Sequence, residues 1–74
     1  MSNSFLQYGF DSKVEAKPIM SEFLKMRHLV RFEGFQEIYN ILFPMFTDRK
    51  TGTSFIVRKG EKLHDVWKSV RSKF

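Results

Sequence analysis

The sequence predicts a small single domain of the α+β class, and three observations carry that expectation. A β-hairpin signature sits at Asp48–Gly52. An amphipathic helical stripe occupies the last third of the chain, and a second stripe follows Pro18. Helical and strand patterns in segregated blocks, without a βαβ alternation, point to α+β and away from a parallel sheet. With 74 residues and no cysteine, the chain has neither disulfides nor a thiolate zinc site to support it. Nine Phe, two Tyr and one Trp supply the apolar area instead. Large aromatic side chains give a small core much buried surface per residue. Most of these rings are expected inside, and any surplus is expected at a second copy of the chain, as in a homodimer, or at another partner.

Residues 1–17 read as a partly ordered N-terminal arm. Polar and turn-forming residues are scattered around Phe5, Leu6, Tyr8 and Phe10, and a short strand near Phe5–Tyr8 competes with a mobile tail. Residues 18–74 read as the α+β domain. Pro18 suits a first helical turn, where its missing N–H costs nothing. Ile19, Phe23, Met26 and Val30 then follow helical spacing, with Met20 and Leu24 beside them. The segment His28–Phe32 also reads as a strand, so the end of this helix is open.

A second helix is expected from Phe35, because Phe35, Ile38, Tyr39 and Leu42 fall at positions 0, 3, 4 and 7. Glu33 and Glu37 would lie near its positive end, and Pro44 disfavours a helical Phe43 and so closes it. Asp48-Arg49-Lys50-Thr51-Gly52 then separates Met45–Thr47 from the β-rich run Thr53–Arg58. Asp opening a type I turn, followed by Gly where φ is positive, makes this a hairpin loop. Alternation puts Phe55 and Val57 on the core face and Ser54, Ile56 and Arg58 on the other. Gly60 is taken as the N-cap of a final helix packed by Leu63, Val66, Trp67 and Val70, with Phe74 continuing the stripe. Lys68, Arg71 and Lys73 lie in its last turns, where cations complement the helix dipole.

Charge is segregated along the chain. Residues 49–74 hold eight cations against Glu61 and Asp65, a net of +6, whereas residues 1–48 hold five cations against six acids, a net of −1. Folding gains nothing from such self-repulsion, so the imbalance is read as a statement about a polyanionic partner. The function expected is non-enzymatic nucleic-acid binding, to DNA or RNA. Arg49, Lys50, Thr51, Arg58 and Lys59 on the hairpin would be the contacts, with Lys62, Lys68 and Arg71 on the helix extending a continuous patch. Long cations at phosphate spacing, with hydroxyls to fix register, are what such a surface requires. The alternative is a small regulator or inhibitor that docks on a larger acidic protein, since charge steers those encounters as well.

Other classes find less support. The final helix, basic on one side and carrying Trp67 and Phe74 on the other, also fits an anionic membrane surface, but such a stripe more often builds a small domain's own core. No apolar run approaches the ~20 residues of a membrane span, and no secretory signal is evident. A cytoplasmic protein is therefore expected. His28 and His64 match no metal-ligand spacing, and the carboxylate pairs Glu33/Glu37 and Glu61/Asp65 read as helix-start decoration. No phosphate-binding glycine loop or nucleophile elbow occurs. No enzyme activity, cofactor or metal is expected.

Overall fold

The computed structural model describes residues 8–73, and its elements follow the order helix, three strands, helix. A 3-10 turn, Val14–Ala16, leads into helix α1, Lys17–Met26. Strands β1, Val30–Ile38, β2, Ile41–Asp48, and β3, Ser54–Ile56, form an antiparallel sheet in the order β1-β2-β3, and helix α2 spans Leu63–Ser72. The protein is thus an α+β domain, with the hairpin and C-terminal helix where the sequence puts them. No helix among the described residues is long and apolar enough to cross a membrane.

The expected second helix is not there. Residues 35–43 instead end β1, turn, and begin β2, with Phe35 opposite Pro44 and Ile38 opposite Ile41. The two turn residues, Tyr39 and Asn40, have φ values of 51° and 65°. Two consecutive positive φ values define the tight turn whose twist matches an antiparallel pair. The helical spacing of Phe35 and Leu42 arises because both side chains pack toward the helices from neighbouring strands, while Tyr39 projects into solvent, 83% exposed. At the start of β1 the register shifts between Phe32 and Gly34, with Gly34 at φ 104°. The extra residue lets Phe32 and Phe35 share one face, their rings 5.4 Å apart. Val30, the last member of the first helical stripe, belongs to β1, so the strand reading of His28–Phe32 holds from Val30 onward.

Pro44 lies in the central strand, a position normally closed to proline because the ladder needs its N–H. Its carbonyl accepts from Val57 N at 3.1 Å, just beyond the end of β3, and Phe10 then takes over the same lane through paired 2.8 Å bonds with Leu42. The missing donor therefore faces the gap where the third lane changes from β3 to the N-terminal segment.

Alternation along β2 sends Leu42, Pro44, Phe46 and Asp48 toward the helices and Ile41, Phe43, Met45 and Thr47 to the reverse face. On the helix side Phe46 is fully buried, with its ring centroid 5.6 Å from Phe23 of α1, 5.3 Å from Phe32 and 6.1 Å from Phe55. Ile19, Met26, Val30, Val57 and Leu63 complete the core, together with Phe10 and Ala16 from the residue 1–17 arm. The strand expected near Phe5 lies, except for Tyr8, outside the described residues. None of the seven Phe among the described residues is exposed, so these rings are consumed by the fold.

The start of α2 differs from expectation. Gly60 has φ 90° and sits in a turn, and the helix begins only at Leu63. Lys62 occupies the N-cap position and has no side-chain acceptor to offer. Glu22 of α1 caps the helix across the core instead, its carboxylate accepting from Leu63 N at 2.8 Å and His64 N at 3.1 Å.

Candidate functional site

The β2–β3 turn is organised by Asp48, whose side chain is completely removed from solvent. Its backbone N–H donates to Thr53 O, and its carbonyl accepts from Gly52 N, both at 2.8 Å. Thr51 Oγ1 donates to Oδ2 at 2.9 Å and Trp67 Nε1 donates to Oδ1 at 3.3 Å. The Lys50 amide and the Arg71 guanidinium complete the shell, Arg71 Nε lying 3.9 Å from Oδ2. Burial opposes ionisation of this carboxyl, yet the Thr51, Trp67 and Lys50 hydrogen bonds and the Arg71 charge outweigh it and hold the pKa below the ordinary value. One buried anion thus locks the hairpin tip to the middle and end of α2.

That lock gathers cations from three parts of the chain. Arg49 Nε donates to Arg27 O at 2.9 Å and its amide to Leu29 O at 3.0 Å, which fastens the tip to the end of α1. Arg71 lies over Trp67, 5.0 Å from the ring centroid. Lys68, three residues before Arg71, shares that flank of the helix. Arg31 lies on the reverse face of β1, opposite Thr47, and lines a cleft with Arg49. Arg27, Arg31, Arg49, Lys50, Lys68 and Arg71 therefore collect at one end of the molecule. The acids there are Asp48, buried, and Glu33, which accepts from Arg31 Nε at 2.9 Å and from Thr47 Oγ1 at 2.8 Å.

The remaining residues expected at the interface lie elsewhere. Arg58 is held by Glu61 through two bonds of 3.2 and 3.0 Å and stacks over Tyr8, while Lys59 pairs with Glu15 at 3.5 Å. Lys62 precedes the first turn of α2, a helix length of about 15 Å from Arg71 and on the opposite flank. The continuous patch from Arg58 through Lys62 to Arg71 does not form, because hairpin and helix run in opposite directions and put these groups at opposite ends. Thr51, expected as a ligand hydroxyl, is committed to Asp48.

Arg27 and Arg31 were missed for a simple reason. They belong to the segment whose net charge is −1, but its other acids, Asp11, Glu15, Glu22 and Glu37, fold toward the far end or onto α2. The strand reading of His28–Phe32, paired with Met45–Thr47, would have placed Arg31 beside the hairpin tip. His28 and His64 are both exposed, and His64 lies against Trp67 with ring centroids 5.6 Å apart. Among the described residues no group of three or more His, Asp or Glu side chains is placed to hold a metal. No family model matches the chain, and no curated protein or solved structure matches it.

Proposed function

We propose that the protein is a nucleic-acid-binding module that docks on phosphates through the hairpin-tip end, and that this binding is non-enzymatic. The observation that carries the reading is the gathering of Arg27, Arg31, Arg49, Lys50, Lys68 and Arg71 around a carboxylate that is buried and fully bonded. Such a surface presents positive potential to solvent, because Asp48 is buried and Glu33 is the one exposed acid set against these six cations, which suits a polyanion. The tip and the α2 flank are rigidly related through Asp48, so the cations approach a backbone as a set.

Fluorescence anisotropy with duplex DNA, single-stranded DNA and RNA, titrated with salt, tests this. The expected result is affinity falling with salt at a log–log slope of about −4, as for four to five phosphates engaged. A flat response, or no binding at low salt, rejects it.

One observation favours a protein partner as the second reading. An open groove of about 600 Å³ runs between the edge strand β3 and α2, lined by Ile56, Val66 and Val70 and by three cations, Arg58, Lys62 and Lys73, against two acids, Glu61 and Asp65. An extended acidic segment of a larger protein fits that combination, which would make this chain a small regulator. Recovery of one stoichiometric acidic protein, resistant to nuclease, would select this reading instead.

A further inference from the structure

We propose that the cleft lined by Arg31, Thr47, Asp48, Arg49 and Gly52 is an oxyanion pocket that takes a single phosphate group. The proposal deepens the nucleic-acid reading, on which the source of that phosphate rests, by naming one position where a phosphate is fixed. The cleft is an open depression of about 190 Å³ where the start of β1 meets the β2–β3 turn.

Its two guanidinium groups are held in the same manner. Arg31 Nε donates to Glu33 Oε2 at 2.9 Å, and Arg49 Nε donates to Arg27 O at 2.9 Å. In each case the inner nitrogen is tied to the protein, while the terminal amino groups have no hydrogen-bond partner among the described residues. A guanidinium anchored in this way offers a planar fork to a tetrahedral oxyanion, with much of the side-chain ordering already done. Two such forks on facing segments define a position, which scattered lysines do not.

The anions near the cleft support the same assignment. Asp48 is the one carboxylate in the lining, and its oxygens are engaged by Thr51 and Trp67 on the helix side of the sheet. Glu33 backs Arg31 and is itself bonded by Thr47. Its charge weakens the pocket for a free ion. It penalises far less a phosphate carried on a polymer, because Lys50 and Lys68 attract the neighbouring phosphates. The pocket therefore sets register within a surface that is otherwise diffuse.

Arginine side-chain NMR on the full chain tests the assignment, with inorganic phosphate titrated against chloride at constant ionic strength and, separately, with a short DNA duplex. Saturable shifts of the Arg31 and Arg49 Nε–H signals are expected with phosphate, and little change at Arg58, which Glu61 already occupies. Arg31→Gln and Arg49→Gln should each weaken phosphate binding at least about tenfold, the size of one charge-assisted pair of bonds. Arg31→Lys retains the charge and loses the fork, so it should weaken binding too, and its amide spectrum reports whether the fold persists. Phosphate shifts spread evenly over all the arginines, or folded variants that bind phosphate as tightly as the parent, would overturn the pocket. Duplex binding that leaves both Nε–H signals unmoved also overturns it, while sparing the nucleic-acid reading. A pocket that responds to phosphate in a protein that ignores the duplex keeps the pocket and removes that reading.

Discussion

At Asp48 a carboxylate is held out of water by a hydroxyl, an indole N–H, a backbone amide and a guanidinium. A buried acid is tolerated only when its bonds are complete, and removing it leaves the partners unsatisfied. Asp48→Ala is expected to destabilise the fold by about 2 kcal/mol or more, read by thermal or denaturant unfolding. The pH dependence follows from the direction of its shift. A carboxyl whose pKa is lower in the folded protein contributes stability above its unfolded value, about 3.9, and loses it as pH falls through the folded value. The parent's melting temperature should therefore drop between about pH 4 and lower pH, with Asp48→Asn showing a shallower decline. An Asn variant with the parent's acid slope would contradict this. The same residue shows what sequence can and cannot convey. Asp48 reads correctly as the start of a turn, since its side chain does bond Lys50 N and Thr51. Its contact with Trp67, nineteen residues on, carries no local signal.

Among elements, α2 illustrates a cap supplied from a distance. Sequence reasoning looks for an N-cap next to the helix and finds Gly60, but the acceptor is Glu22, 41 residues before Leu63. Helix-start amides need an acceptor, and nothing requires it to be local. Glu22→Ala is expected to cost about 1 kcal/mol, typical of a lost cap, and to lower the melting temperature by roughly 4–8 °C. Glu22→Gln, which keeps an acceptor without the charge, should lose less. An unchanged melting temperature in the alanine variant would show that the cap is idle. The hairpin at Asp48–Gly52 was legible because Gly52 takes φ 77° and its turn chemistry is local. The turn at Tyr39-Asn40 was not, because it lacks the glycine that marks such turns, and the surrounding apolar residues mimic a helical period.

Across the whole molecule, charge is polarised end to end, and this separates site from composition. Lys50 and Lys68 lie at the hairpin-tip end; Lys17 and Lys62 lie at the starts of the helices; and no ion pair among the described residues uses any of the four. Lys50→Glu with Lys68→Glu and Lys17→Glu with Lys62→Glu change net charge equally. The first pair should weaken nucleic-acid binding by at least about tenfold and lower the salt slope by about 2, whereas the second should leave both nearly unchanged. Equal losses from the two pairs would mean that net charge, and not the tip, governs binding. Of Arg27, Arg31, Arg49, Lys50, Lys68 and Arg71 at the tip end, only four fall in the basic C-terminal segment. The linear charge count was therefore a poor map of the surface.

The sequence alone determined the α+β class, the hairpin between Met45 and Arg58, the two amphipathic helices and the excess of cations. The first three follow from local backbone preference or from periodic burial, which act over a few residues, and the last from composition alone. Tertiary structure alone decided that residues 35–43 are strand and turn, that Glu22 caps α2, and that Arg27 and Arg31 join Arg49 while Lys59 is neutralised by Glu15. These outcomes depend on which segments become neighbours once the aromatic core closes, which the local apolar period does not record.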